Sequence, residues 1–201
     1  ALLKSPNLDV LQMESTEEEL AQYGARISLK RQQFIDDLSP SFIEFHQELT
    51  GSSNTKLNLK SALGHGDLSE RREVYLKLMS EKRDEERFRG SNMVGPQRDD
   101  LLIDLKGKNA RAFASQGQAR ALVLSMKLAE LSMAQKKGTR PLFLLDDLSS
   151  ELDSKRRQSL LEILMEKTLQ VFVSTTSLSV LEIPIENSIE FQIVDGKISP
   201  S

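Results

Sequence analysis

The sequence predicts an α/β chain in which a mostly helical region precedes a lobe with a parallel sheet and crossover helices. In the first region, hydrophobic residues recur at the three- and four-residue spacing of a helix. In the second, short apolar stretches alternate with helical segments, and this order favours parallel strands joined by crossovers. The change in character predicts a boundary near residues 88–95, with domains over residues 1–92 and 93–201.

The composition is that of an ordinary globular protein, and it limits the kinds of partner that the chain is expected to bind. Of the 201 residues, 38% are hydrophobic and 28% are charged, which allows a sizeable core. The net charge of −3 means that any nucleic-acid contact has to come from a local basic patch. The absence of cysteine excludes a disulfide scaffold and suits a reducing cytoplasm. No apolar run approaches the ~20 residues that span a bilayer, so no membrane partner is expected.

The N-terminal region is predicted to begin with two helices. After a capping box formed by Thr16 and Glu19, five apolar side chains recur on one helical face: Leu20, Tyr23, Ile27, Phe34 and Leu38. Ser39-Pro40 is expected to end this helix and begin a second one, because proline is favoured in a first helical turn. The second helix is expected to stop at Gly51.

A strand and a highly charged helix complete this region. The alternation of Leu57, Leu59 and Leu63 with polar residues predicts a half-buried strand. The following helix, over residues 69–89, contains seven basic and six acidic residues. Such a pattern is typical of a solvated helix with many ion pairs. The alternative is a secondary DNA contact through three of its arginines: Arg71, Arg72 and Arg83.

The C-terminal lobe is predicted to alternate strands and helices. The strands are expected at residues 101–105, 142–145 and 171–173, and the helices at 118–134 and 154–167. A turn is expected over residues 106–109, and a final hairpin turns at Asp195-Gly196.

Two carboxylates follow the most apolar of these strands. Leu142-Phe143-Leu144-Leu145 is a continuous apolar run of the kind found in central parallel strands, and Asp146-Asp147 comes directly after it. Ligands of open α/β sheets bind at this carboxyl edge. One carboxylate there can hold Mg²⁺, and a second can position a water for attack on a γ-phosphate. A buried strand that ends in two acids at a solvent edge would have the same pattern.

Three further segments are weak alone and informative in their order. Ser115-Gln116-Gly117-Gln118 precedes the buried helix, where it could bind a phosphate or serve only as an N-cap. Residues 149–153 (SSELD) follow the two carboxylates and could be a simple capping loop. Ser174-Thr175-Thr176 ends the next strand, where it could be no more than a hydroxyl cluster.

Three spaced segments resemble the RecF family of ABC-type ATPases, which act in recombinational repair. They are residues 95–101 (GPQRDDL), 115–130 (SQGQARALVLSMKLAE) and 144–153 (LLDDLSSELD), within a similarity that covers roughly residues 93–180. The chain departs from the family at Gln97, where His is usual, and at Ala119, where a second Gln is usual.

The resemblance implies a fold and a set of cofactors and partners. Residues 93–201 would form the C-terminal half of an ABC-type ATPase head, and residues 1–92 a mostly helical arm. The intact protein would bind ATP and Mg²⁺, form an ATP-dependent homodimer, and engage single-strand gaps or junctions in DNA. Recombination mediator proteins would be further partners.

The resemblance also implies roles for individual residues. Asp146 would hold Mg²⁺ through water, and Asp147 would orient the attacking water. The signature segment would reach the γ-phosphate of the partner's nucleotide: Ser115, Gln116, Gly117 and Gln118. A D-loop would link the two active sites: Ser149, Ser150, Glu151, Leu152 and Asp153. Either Thr175 or Thr176 would be the switch residue that senses the γ-phosphate.

The phosphate-binding Walker A loop is missing from this sequence. That loop needs G-x-x-x-x-G-K-[ST], and the one correctly spaced glycine pair, Gly90 and Gly95, is followed by Pro96 and Gln97. The loop is therefore expected upstream of Ala1, and this chain alone is expected to be inactive as an ATPase. Two alternatives remain open: an SMC-like chromosome-organising head fragment, which the lack of a sustained heptad run disfavours, and a non-catalytic interaction fragment.

Overall fold

A computed structural model of the chain describes residues 10–146, 152–166, 170–177 and 188–200. The chain divides into two compact units, Ala1–Lys137 and Gly138–Ser201. This division by packing differs from the domain limits expected from the sequence, which stay a prediction. Within the described ranges, no helix has the length and apolar character needed to cross a membrane.

The first unit combines helices with a small antiparallel sheet. Its elements are α1 (Val10–Thr50), β1 (Thr55–Lys60), α2 (Leu68–Arg89), β2 (Asp100–Leu105), β3 (Lys108–Asn109), α3 (Ala110–Phe113) and α4 (Gln116–Lys136). The long helix α1 packs against α2, α4 and β1. β1 pairs with β2 in antiparallel register from Thr55↔Leu105 to Lys60↔Asp100. The predicted strands are confirmed at Leu57 and Leu59 and at Leu101–Leu105, whereas Leu63, which the same alternation included, is buried in a turn after β1 has ended.

Helix α1 runs through Pro40, so the predicted division into two helices is wrong. Proline removes one backbone hydrogen bond inside a helix, and the Ser39 hydroxyl donates to the Ile35 carbonyl at 2.7 Å just before it. On either side of Pro40, Leu38 and Phe42 are buried. Burial of such side chains contributes about 1.5–3 kcal/mol each, which offsets the lost bond. The predicted end at Gly51 is confirmed, and Gly51 has a φ of 72°.

The apolar face predicted for the first part of α1 is also wrong. Four of its five members lie at the surface, with exposures of 37–59%: Leu20, Tyr23, Ile27 and Phe34. Between residues 20 and 34 the buried residues are small: Ala21, Gly24, Ala25 and Ser28. A β-carbon on Gly24 would lie 2.3 Å from Cε1 of Tyr75 in α2. Because α2 approaches α1 closely at this point, only small side chains of α1 fit between the two helices, and the larger side chains lie at the surface.

Helix α2 has well-defined ends and a narrow buried face. Asp67 caps it through a reciprocal capping box with Glu70, and Gly90, in the left-handed region at φ 64°, ends it. Tyr75 and Met79 of α2 join a core cluster with three residues from elsewhere in this unit: Ala21, Leu63 and Val94. Most other residues of α2 are charged, as predicted. The helix is therefore stabilised by the core contacts of Tyr75 and Met79 and by its two capped ends.

The second unit contains a parallel strand pair, a helix and a hairpin. Its elements are β4 (Leu142–Leu145), α5 (Ser154–Glu166), β5 (Gln170–Val173), β6 (Phe191–Val194) and β7 (Lys197–Pro200). β4 and β5 are parallel, from Leu142↔Gln170 to Leu145↔Val173. The hairpin between β6 and β7 turns at Asp195 and Gly196, both at positive φ, as predicted.

The burial predicted for β4 is only partly present. Phe143 is buried, whereas Leu142 is 46% and Leu144 is 68% exposed. Successive side chains of a strand point to opposite faces of the sheet, so the exposed leucines share the face opposite to Phe143. A continuous apolar run predicts cover on both faces, and the described residues cover one.

Candidate functional site

The signature segment forms the beginning of α4. The Gln118 backbone N–H donates to the Ser115 hydroxyl oxygen at 3.3 Å, and the Ser115 N–H donates to the Gln118 side-chain oxygen at 2.9 Å. The predicted N-cap is confirmed. Because this amide oxygen is an acceptor, Nε2 of Gln118 is the end of the side chain that remains as a donor. Ser115 and Gln116 are exposed, and the positive end of the helix dipole at this terminus favours an anion.

The remainder of α4 fixes the position of that terminus. α4 packs along α1, and six of its residues are buried: Ala121, Leu122, Ser125, Leu128, Ala129 and Ser132. The Ser125 hydroxyl donates to the Ala121 carbonyl at 2.7 Å, which satisfies it within the helix. Burial at these positions confirms the predicted helix, although Val123 is 60% exposed. The signature residues thus begin a helix held by its own core contacts.

Asp146 and Ser174 lie side by side at the carboxyl edge of the parallel strands. Leu145 and Val173 are the last paired residues of β4 and β5, and the Ser174 N–H donates to the Leu145 carbonyl at 2.8 Å. The Ser174 hydroxyl donates to Oδ1 of Asp146 at 2.5 Å. The resemblance implied a switch role for Thr175 or Thr176 and did not single out Ser174, the residue that contacts Asp146. The signal was available, since the first residues beyond two paired parallel strands are neighbours.

The two threonines make different contacts. The Thr175 hydroxyl donates to the Ser177 carbonyl at 3.0 Å and accepts from the Ser177 N–H at 3.3 Å, which closes a local turn. Thr176 is exposed. Neither has a described contact with Asp146. Which of them senses a γ-phosphate stays open.

The D-loop residues are described only in part. Asp147, Ser149, Ser150 and Glu151 lie outside the described residues. Asp153 caps α5, because Oδ1 accepts from the Arg156 N–H at 3.0 Å and Oδ2 pairs with the Arg156 guanidinium at 3.0 Å. Leu152 is half-buried. The capping interpretation of this loop therefore holds for Asp153.

The donors around Asp146 fit a hard divalent cation. The carboxylate of Asp146 is exposed, and it and the Ser174 hydroxyl are oxygen donors of the kind that Mg²⁺ takes. Among the residues that the structure describes, no group of three or more His, Cys, Asp or Glu could hold a metal ion. A magnesium site of this kind relies on water and substrate phosphates for its other ligands.

The arginines predicted to contact DNA are already paired or buried. Arg71 is fully buried: its Nε donates to the Gly66 carbonyl and its Nη1 donates to the Ser28 hydroxyl, both at 2.7 Å. Its assignment as a DNA contact is wrong, because a side chain beneath the surface cannot reach a phosphate. Arg72 pairs with Glu18.

The third arginine, Arg83, forms a two-point ion pair with Glu17 at 3.2 and 2.6 Å. This hydrogen-bonded pairing raises the pKa of the Arg83 guanidinium. Further pairs join Lys82 and Arg89 to Glu85. α2 is thus largely the ion-paired helix that its charge pattern predicts, and five of its seven cations pair with carboxylates: Arg72, Lys77, Lys82, Arg83 and Arg89.

The GPQRDD segment, residues 95–100, holds the chain between α2 and β2. Arg31 of α1 donates to the Pro96 carbonyl and pairs with Asp99 at 3.1 Å. Gln97, which replaces the usual His, donates through Nε2 to the Val94 carbonyl at 2.6 Å. These contacts tie the segment to α1 and to its own turn, and indicate a structural role.

Comparison with known proteins connects these features to one group. No model of a known protein family matches the chain. The DNA replication and repair protein RecF of Geotalea daltonii is 36% identical over 187 residues, covering 90% of this chain and 51% of that protein. RecF of Streptococcus pyogenes serotype M49 is 35% identical over 199 residues, covering 98% and 54%. The chain spans about half the length of the curated relatives it matches.

Comparison with solved structures gives the same relatives as the sequence comparison. The recombination mediator protein RecF-ATPrS in the RecFOR pathway aligns with a TM-score of 0.80 and 31% identity, covering 99% of this chain and 54% of that chain. The RecF-ATP structure aligns with a TM-score of 0.78 and 30% identity, covering 96% and 52%. The predicted resemblance and the predicted α/β fold class are confirmed.

Proposed function

We propose that this chain, a homologue of the RecF proteins, is part of a DNA-repair ATPase that binds ATP and DNA as an ATP-dependent dimer. The observation that carries the proposal is the pairing of Asp146 with the Ser174 hydroxyl at the carboxyl edge of two parallel strands. Ligands of open α/β sheets bind at this edge. The alignment with the RecF-ATP structure supports ATP as that ligand.

At this edge, Asp146 and Asp147 would divide two tasks. Asp146, together with the Ser174 hydroxyl, would hold a water-ligated Mg²⁺; when bound, that ion neutralises charge on the phosphates. Asp147 would orient and polarise the water that attacks the γ-phosphate. Thr175 or Thr176 would sense that phosphate from the neighbouring strand end. Part of the charge stabilisation would come from the Walker A loop, which this sequence lacks.

The signature segment, Ser115–Gln118, would act on the nucleotide bound by a second protomer. Its position at the exposed beginning of α4 supports this, since the helix dipole and the Gln118 amide favour an anion arriving from outside. The D-loop, Ser149–Asp153, would connect the two active sites. ATP binding would then control dimerisation.

The same proposal includes the partners of the protein and the cellular compartment in which it acts. The protein would engage DNA at single-strand gaps or junctions, and recombination mediator proteins would be further partners. A chain without cysteine suits the reducing cytoplasm, where we place it. The identity to RecF proteins favours this function over an SMC-like head or a purely structural fragment.

The two carboxylates can be tested separately in a protein that combines this chain with a Walker A loop. Asp147→Asn keeps the side-chain shape and removes the charge that polarises water. ATP binding should therefore persist while hydrolysis falls by about 100-fold or more. Asp146→Asn should instead weaken binding of Mg-ATP, measured by calorimetry. Normal turnover by Asp147→Asn would show that the catalytic assignment is wrong.

The signature segment has its own test in the same protein. Ser115→Arg blocks the beginning of α4, so ATP-driven dimerisation should disappear while each protomer still binds ATP. Sedimentation with and without ATP measures the first property, and calorimetry the second. A dimer that forms normally would exclude the action of Ser115 on the partner's nucleotide.

A further inference from the structure

The hairpin between β2 and β3, with the short helix α3 after it, carries exposed cations and an exposed aromatic ring. Between Leu105 and Ser115 the sequence has three cations and no acidic residue. Lys106, Lys108 and Arg111 are exposed, and the Phe113 ring is 67% exposed. These four residues are called the basic hairpin patch. Within the described part of the chain, neither lysine forms an ion pair, in contrast to Lys77 and Lys82 of α2.

The local geometry keeps these charges together at the surface. Lys106 and Gly107 form the two-residue turn, at φ values of 56° and 81°. Lys106 donates its backbone N–H to the Asn54 carbonyl at 2.8 Å, so the turn is tied to the residues before β1 and its side chain is left outside. Lys108 Nζ lies 5.6 Å from the centroid of the Phe113 ring. The Lys108 ammonium therefore lies over one face of the Phe113 ring, which is itself 67% exposed.

Two acidic residues lie beside the patch, Asp104 and Asp100, and each has a hydrogen-bond partner there. Asp104 is half-buried, and its carboxylate accepts from the Gly107 N–H at 2.7 Å, so it serves the turn. Asp100 pairs with Arg111 at 3.4 Å, but the two side chains are 50% and 83% exposed. Exposed pairs of this kind contribute little and exchange readily for another anion.

The residue at the turn is itself informative. Two-residue hairpin turns with positive φ at both positions favour Asn, Asp or Gly, whereas Lys106 has a full side chain at the first. A side chain in the left-handed region costs free energy, and such positions are enriched where function requires them. A lysine at the tip of a hairpin gains nothing in packing, so its charge is the property that explains it.

We propose that the basic hairpin patch binds single-stranded nucleic acid, with a base stacked on Phe113 and phosphates held by Lys106, Lys108 and Arg111. A cationic surface that follows the backbone, combined with an aromatic platform, is how proteins bind unpaired strands without sequence preference. The inference rests on the proposed DNA-repair function and moves the DNA contact from α2 to this hairpin. The choice of a single strand follows from Phe113, because bases in a duplex are already stacked.

The test uses the 201-residue chain without nucleotide, so the result does not depend on ATP-driven dimerisation. Binding of a fluorescent oligothymidylate is measured by anisotropy over a salt series. Lys106→Gln with Lys108→Gln should reduce the salt slope by about 1.4, since each phosphate contact on a single strand contributes about 0.7. Lys77→Gln with Lys82→Gln on α2 is the control with the same charge change, and it should keep the wild-type slope.

The stacking of a base on Phe113 is tested separately, through the affinity for single-stranded and duplex DNA. Phe113→Ala should weaken single-strand binding by about tenfold and leave duplex binding unchanged, and Phe113→Trp should restore it. Phe88→Ala, which removes an aromatic ring that is 93% exposed on α2, is the matched control. The proposal is overturned if the chain fails to bind the oligonucleotide at low salt, or if the α2 variants lose as much affinity as the hairpin variants. It is also overturned if Phe113→Ala changes only the oligomeric state, which would make the ring a protein contact.

Discussion

The two units of the chain differ in how far they bury their own apolar side chains. In the first unit, α1, α2 and α4 enclose large residues completely, among them Phe42, Leu38 and Leu128. Among the described residues of the second, only Phe143 and four residues of α5 are buried, while both strand pairs carry apolar side chains at the surface. These exposed side chains are Leu142, Leu144, Phe172, Phe191, Ile193, Val194 and Ile198.

The difference reflects how the two kinds of sheet are stabilised. The antiparallel sheet of the first unit needs cover on only one face, and its alternating pattern of Leu57 and Leu59 supplies it. Parallel strands are normally covered on both faces, and two strands alone are marginally stable. β4 and β5 have the composition of central strands but only one described neighbour each. The first unit thus carries its own core, whereas the second has apolar faces suited to further cover.

Hydrogen exchange on the 201-residue chain should reveal the largest difference. We expect the amides of β4 and β5 to exchange at least about 100-fold faster than those in the centres of α1 and α4, because less apolar burial opposes local opening. Mass spectrometry of proteolytic fragments measures both regions in one sample. Equal protection in the two units would contradict the comparison.

Truncation of a core side chain tests the first unit. Phe42 is fully buried, so Phe42→Ala should lower the free energy of unfolding by about 3–5 kcal/mol, measured by urea denaturation. Phe88→Ala removes the same ring from a position that is 93% exposed and should change stability by no more than about 0.5 kcal/mol. Similar losses for the two variants would mean that the core is not where the burial places it.

A smaller loss in the free energy of unfolding is expected when the buried Arg71 loses the Ser28 hydroxyl as a hydrogen-bond acceptor. Ser28 accepts from Arg71 at 2.7 Å and lies 3.1 Å from the Ser61 hydroxyl. Ser28→Ala would leave a buried guanidinium N–H without that acceptor, which costs about 1–3 kcal/mol. Ser15→Ala, on an exposed face of the same helix, carries the same change in helix propensity and should be nearly neutral. An equally neutral Ser28→Ala would remove Arg71 from the stabilising contacts.

The smallest effect concerns alkaline pH. Burial raises the pKa of the Tyr75 phenol above 10.0, and the nearby Glu86 and Asp99 add to the shift. Above pH 10 the unfolded state therefore loses this proton before the folded state does, so stability falls as pH rises toward the folded pKa. Tyr75→Phe should remove this part of the fall in a urea titration across pH 9–11. Tyr23→Phe, at an exposed phenol, should retain the wild-type profile.

Local signals in the sequence predicted most elements and the beginnings of the candidate site. The N-cap at Ser115, the strand that ends at Asp146 and the hairpin at Asp195-Gly196 were all predictable, because capping, apolar runs and turn residues act over a few neighbours. The positions of Asp147 and residues 149–151 lie outside the described residues, so their roles rest on the resemblance. Ser174 was missed because its contact with Asp146 depends on the register of β4 and β5; the available signal was that both residues directly follow predicted strands.

What the sequence alone determined was the type of most elements, the missing phosphate-binding loop and the relationship to RecF. Tertiary structure decided the rest. It carried α1 through Pro40, since burial of Leu38 and Phe42 outweighs one lost backbone bond. In the first part of α1 it buried Ala21 and Ala25 and left Tyr23 and Ile27 exposed, because Tyr75 packs directly over Gly24. It also buried Arg71 and left Lys106 and Lys108 exposed, since the accessibility of a charge depends on packing between distant segments.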